Sequence, residues 1–141
     1  MANSGQSFRE FEQAGWEDSR LVAKYHEHLS GVTTQSVDAL LDVAGVRDGS
    51  HVLDVATGAG YIAAAAALRG ADAIAIDFSA AQVRTARERY PSVRFDQADA
   101  EALPFDPDTF DAVVNGFGMC HLSNPDVALR EAFLVLKRGG C

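Results

Sequence analysis

A chain of 141 residues, 48% of them hydrophobic, is one domain's length and can bury a core. Its 20 acidic against 12 basic side chains leave a net charge of −8, which argues against a surface for nucleic acid or an anionic membrane. Mean hydropathy is −0.04, and Cys120 and Cys141 form neither a metal-ligand spacing nor a disulfide framework, so a soluble protein of the reducing cytoplasm is expected. The opening residues MANSGQSFREFEQ lack the apolar stretch of a secretion signal, and no apolar run is long enough to span a membrane.

In chain order, the first periodic segment is residues 16–30, where Trp16, Leu21, Val22, Tyr25 and Leu29 recur at roughly helical spacing. A second helix is predicted around Val37, Leu40, Leu41 and Ala44, broken by Gly45 and the Asp48-Gly49 pair. Four short strands follow, over 51–55, 73–76, 93–96 and 112–115, with helices over 62–68, 80–90 and 125–137 between and after them. Ser79 is the expected N-cap of the helix at 80–90. Asn124 is that of the last helix, with Pro125 at its first position. The basic run Arg84, Arg87, Arg89 reads as a solvated helix face. Strands alternating with helices predict an α/β fold, a Rossmann-like open parallel sheet with helices on both faces.

Within that frame the stretch VLDVATGAGYIAAAAALRGA, residues 52–71, is unusual. Thr57-Gly58-Ala59-Gly60 is the turn from the first strand into a helix, at the carboxyl end where open α/β sheets bind ligands. Glycine there allows close backbone approach to a ligand, and the alanines 63–67 let the helix sit close to the sheet. Asp54 is costly to bury unless it is hydrogen-bonded or faces a cation; it either braces the turn or meets a positively charged ligand. Asp77 ends the second strand 17 residues past Gly60, where a carboxylate can accept two hydrogen bonds from the vicinal hydroxyls of a ribose. Asp99 follows the third strand and could accept from an adenine amine, while Phe78 would offer the base an apolar face.

VLDVATGAG, AIDFS, DAEALPFDPDTFDAVV and REAFLVLKRGG resemble, in order and spacing, the motifs of class I S-adenosylmethionine-dependent methyltransferases. The group that includes the ubiquinone/menaquinone-biosynthesis C-methyltransferases is the most similar. The resemblance covers about residues 16–140. It implies that Asp54, Ala56, Gly58 and Gly60 form the loop under the methionine part of S-adenosylmethionine. It gives the ribose to Asp77, the adenine face to Phe78, the adenine amine to Asp99 and a ring nitrogen to the Ala100 backbone. Asn115 and Gly116 would lie beside the methionine amino group. Residues 1–45 would be a helical lid and 46–141 the cofactor-binding half, with Trp16 and Tyr25 serving either in core packing or in cofactor contact.

Three departures stand out. Ala56 replaces the usual first glycine of the turn, Arg138 replaces a proline before Gly139-Gly140, and Gln82 stands where a methionine often packs on adenine. The family sheet has seven strands in the order 3-2-1-4-5-7-6. The sequence stops where the fifth begins, so a truncated, cofactor-binding part of a methyltransferase is expected, and an inactive binding fragment is the alternative. A sulfonium methyl is already activated, so transfer mostly needs positioning and a dry pocket. A base is needed only if the acceptor must lose a proton; His121 is the candidate, and His26, His28 and His51 read as surface residues. No metal is expected.

The rival reading is a dinucleotide-binding oxidoreductase, which Gly58-x-Gly60-x-x-Ala63 followed by Asp77 also fits. Asp54 and the Ala-Glu-Ala-Leu-Pro-Phe loop count against it. NGFG in place of an Asn-Pro-Pro-aromatic segment disfavours methylation of nucleic-acid bases or glutamine amides. A small-molecule methyl acceptor is expected, its accepting atom (carbon, oxygen or nitrogen) left open, and S-adenosylhomocysteine is the product. The apolar fourth strand carries no lysine, proline or bulge to blunt an edge, so a two-fold homodimer burying that edge or the apolar face beside it is also expected.

Overall fold

Four parallel strands, β1 (His51–Val55), β2 (Asp72–Asp77), β3 (Arg94–Gln97) and β4 (Ala112–Val114), form one sheet in the order β3-β2-β1-β4. The computed structural model describes residues 7–141. Its helices are α1 (Phe8–Glu17), α2 (Ser19–Thr33), α3 (Val37–Val43), α4 (Tyr61–Leu68), α5 (Ala80–Arg89) and α6 (Pro125–Val135). This is the expected α/β architecture, and the strand order matches the first four of the order that the resemblance implied.

Side chains alternate across the sheet, so β1 feeds two cores. Val52 packs with Ala63, Ala66, Val83 and Phe95 under α3, α4 and α5, whereas Leu53 and Val55 pack with Ile76, Phe110 and Val135 on the α6 side. Ala63 and Ala66 are fully buried, and their small side chains bring the α4 backbone close to the strands. Asp54 shares the α4 face with Val52 and is itself fully buried.

Most element ends fall within one or two residues of expectation, but the N-terminal segment differs. A single helix over 16–30 is replaced by α1 and α2. Ser7 and Glu10 form a reciprocal capping box at the start of α1. The Asp18 side chain then accepts from the Arg20 and Leu21 N–H groups and starts α2 in a new direction. Residues 1–6, part of the expected lid and of the segment read as lacking a signal, lie outside the described residues. At α5 the Ser79 hydroxyl caps the Gln82 N–H at 3.1 Å, as expected. At α6 the Asn124 side chain does not cap. Its N–H and amide donate to Glu101 at 2.8 and 2.9 Å, leaving Pro125 at the first turn.

The β4 edge is less bare than the sequence suggested. Phe110 bridges Leu136, the Val113 N–H donates to the Cys141 carbonyl at 2.8 Å, and the Cys141 N–H donates to that of Asp111 at 3.1 Å. The last residues thus run alongside this edge. On the outer face of α6, Leu129, Phe133 and Leu134 are exposed. Among the described residues no helix is long and apolar enough to cross a membrane, and no cluster of ligating side chains could hold a metal.

Candidate functional site

The turn after β1 is built around a carboxylate. Asp54 Oδ2 accepts from the Thr57 hydroxyl at 2.6 Å and from the Ala63 N–H at 3.2 Å. Gly60, the N-cap of α4, has no side chain to satisfy that first turn, so Asp54 reaches across from the strand to do it. Its Oδ1 is the one buried side-chain polar atom without a partner among the described residues. Burial dominates, and pushes the Asp54 pKa up to about 7. Gly60 sits at φ 88°, and a Cβ there would lie 2.7 Å from the Phe95 ring, so only glycine fits.

Ala56 takes φ 55°, the left-handed region that costs an L-residue roughly 1–2 kcal/mol. This is the physical reason a glycine is the usual occupant, and alanine tolerates the position under strain. Ala56→Gly is therefore expected to stabilise the fold by up to about 1 kcal/mol, the relief being partly offset by the greater unfolded-state entropy of glycine. A urea midpoint that rises at unchanged slope would show it.

Asp77 closes β2 beside this turn. Its two oxygens accept from the Gly58 and Ser79 N–H groups, each at 2.9 Å, which uses two of about four acceptor positions on the carboxylate. Burial raises its pKa to about 6, against the lowering effect of those two hydrogen bonds. Phe78 follows, its carbonyl held by the Gln97 amide at 2.9 Å.

Two adjoining cavities open at the carboxyl ends of the strands and share Ala56, Asp77, Phe78, His121 and Leu122. One continues past Asp99, Ala100 and Glu101. The other runs over Gly58 and Gly116 to Trp16, Tyr25, Tyr61 and Ile62. Ala56, Gly58, Asp77, Phe78, Asp99, Ala100, Gly116 and His121 are thus brought together on the cavity walls. Asp54, Gly60 and Asn115 stand outside the walls. The Asn115 side chain donates to the Val55 carbonyl at 2.8 Å and accepts from the Gly118 N–H at 3.0 Å, tying the two loops together.

The walls are acidic. Glu12, Asp77, Asp99 and Glu101 line them, and Arg9 is the only lysine or arginine that does so among the described residues. Arg9 is paired with Asp99, whose other oxygen accepts from the Glu101 N–H at 2.9 Å. The Ala100 N–H has no partner among the described residues and lies in a residue of the cavity wall.

Sequence reasoning missed the place of several wall residues. His26 is not a surface residue but only 8% exposed. Its Nε2 lies 2.9 Å from Gln82 Oε1, and its Nδ1 lies 3.4 Å from the Tyr61 hydroxyl, which accepts from Arg89 at 2.7 Å. Gln82 therefore holds α2 down beside Gly58. Glu12 on α1 meets both His121 and Trp16. The S-x-x-E cap at Ser7 and the Phe8–Phe11 spacing are the local signals that could have revealed α1 and brought these residues into view.

Fold and site together define a Rossmann-like domain whose glycine turn and strand-end aspartates suit a nucleoside-bearing cofactor. The chain belongs to a methyltransferase family: the model for the methyltransferase domain matches residues 52–140. It is similar to the demethylmenaquinone methyltransferase of Renibacterium salmoninarum, 40% identical over 101 residues, covering 72% of this chain and 43% of that protein. It is also similar to a ubiquinone/menaquinone biosynthesis C-methyltransferase of Idiomarina loihiensis, 39% identical over 109 residues, covering 71% of this chain and 43% of that one. Among solved structures it resembles the YcgJ protein of Bacillus subtilis, with a TM-score of 0.70 and 32% identity over 75% of this chain and 47% of that one. The chain spans less than half the length of each of these three.

Proposed function

We propose that the protein binds S-adenosylmethionine along these two cavities and serves methyl transfer to a small-molecule acceptor. The observation that carries this is the Asp77 carboxylate. It is buried at the strand end and fixed by two backbone N–H groups, with acceptor capacity left for a pair of ribose hydroxyls. The cofactor, when bound, supplies a methyl group on a cationic sulfonium. Asp77, Phe78, Asp99 and the free Ala100 N–H fit the adenosine part, and the Gly58 turn and Gly116 fit the amino-acid part. Asp54 fixes the turn from behind, and Asn115 holds the loop that carries Gly116.

Charge separates this reading from the dinucleotide one. A pyrophosphate would face four acids and an arginine already engaged by Asp99, whereas a cation is favoured there. α1 and α2 act as the lid, and Trp16 and Tyr25, packed edge-on at 5.1 Å, belong to its wall. The names of the relatives support an acceptor of the demethylmenaquinone kind, and the aromatic lining by Trp16, Tyr25 and Tyr61 suits a planar ring. His121 takes the acceptor's proton. Exposed Leu129, Phe133 and Leu134 support a two-fold dimer, and two free cysteines suit a cytoplasmic location.

The test is transfer of labelled methyl to a demethylated quinol, with His121→Ala alongside. Turnover that falls at least ten-fold in the variant at unchanged cofactor affinity is expected. Full turnover by the variant would remove His121 as the base, and no transfer by the wild type would overturn the activity.

A further inference from the structure

Glu12 and His121 are 109 residues apart, and the fold sets them 2.8 Å apart, His121 on the wall of both cavities and Glu12 on that of one. The same carboxylate oxygen, Oε2, receives the Trp16 indole N–H at 3.1 Å. An indole N–H can only donate, so Trp16 fixes the direction of the Glu12 carboxylate whatever the imidazole does. A carboxylate only accepts, so the His121 nitrogen facing it, Nδ1, must carry a hydrogen. In the neutral ring that leaves Nε2 as the bare nitrogen, and it has no partner among the described residues. The Trp16 ring stands edge-on to the imidazole at 5.0 Å and walls it from one side. No residue of α1 is buried, so this helix contributes little to the core. Beside the Trp16 ring, what it brings to the rest of the molecule is polar: Arg9 to Asp99, Glu12 to His121 and Glu17 to the Ala80 N–H at 2.7 Å.

We propose that Glu12 is a positioning residue. It holds His121 in the tautomer whose Nε2 can take a proton from the acceptor, and it balances the imidazolium that results. The inference rests on the reading of His121 as the base. As the acceptor's O–H or C–H bond breaks, its electron pair stays on the acceptor atom and the proton goes to Nε2. The cation so formed lies against the Glu12 carboxylate and returns its proton to solvent at the exposed edge of the ring. A carboxylate that orients an imidazole through Nδ1–H is a known arrangement for this task, and loss of the orienting acid yields the wrong tautomer.

The test is long-range 15N NMR of the full chain at pH 8, with His121 assigned through His121→Ala. Wild type is expected to show Nδ1 protonated and Nε2 bare, and Glu12→Ala is expected to shift the ring toward the Nε2–H form. Glu12→Gln keeps the shape where Glu12→Ala fails to fold, and its amide, free to donate or accept, is expected to leave a mixture. In turnover, Glu12→Ala is expected to lower kcat at least ten-fold with KM for the cofactor within about three-fold. A wild-type ring protonated on Nε2, or a tautomer and kcat unchanged in both Glu12 variants, would overturn the proposal. Full turnover by His121→Ala would instead bring down the base reading on which it rests.

Discussion

Asp77→Ala is expected to weaken binding of S-adenosylmethionine by roughly ten- to 150-fold, about 1.5–3 kcal/mol, the scale of a lost charge-assisted hydrogen-bond pair. The same change frees the Gly58 and Ser79 N–H groups, so some stability goes with it. Asp77→Asn separates the two effects. The amide oxygen can still hold one of these N–H groups but offers the ribose fewer acceptors, so affinity should fall while folding is largely kept. The free carboxyl titrates at about 6, and affinity should therefore decline as pH drops through that value. Either variant titrating with the wild-type dissociation constant would remove Asp77 from the cofactor site.

Asp54→Asn is expected to stabilise the protein at pH 8, on the order of 1–3 kcal/mol, because it removes a buried charge. The Asp54 pKa rises from 3.8 to about 7 in the folded state, so between those values the folded chain holds a proton that the unfolded chain has lost. Stability is thus highest below about pH 4 as far as this group is concerned. It falls as pH rises, by up to about 1.4 kcal/mol per unit, until Asp54 ionises near 7. Asp77 acts in the same direction up to about 6. The slope remaining between pH 6 and 7 should vanish in Asp54→Asn. Urea unfolding across pH 5–8 measures it, and a variant that is less stable at pH 8 with the slope intact would contradict the assignment.

What the sequence made legible is what local chemistry determines. The four strands, the Gly-x-Gly turn and the Ser79 cap follow from periodicity and from side chains acting within a few residues. The cavity wall from Ala56 to Gly116 followed from the motifs of a related family. Less legible was what distant segments decide. α1 buries no residue of its own and is held by a capping box and by polar contacts whose partners lie far along the chain. His26 is buried only because α2 docks against Gln82, 56 residues away. Asn124 has the right identity for a cap, but its backbone N–H and its amide both donate to the Glu101 carboxylate, and held there its side-chain oxygen accepts from no N–H of the helix. Ala56 shows the reverse case, in which a departure from the usual glycine becomes intelligible only through its positive φ.

On the proposed function, the paired cavities hold S-adenosylmethionine. Calorimetric titration of the chain with S-adenosylhomocysteine, and in parallel with NAD, tests it most directly. Saturable binding of one S-adenosylhomocysteine per chain with no heat from NAD is the predicted result. Binding of NAD in preference, or no binding of S-adenosylhomocysteine by folded protein, would contradict it.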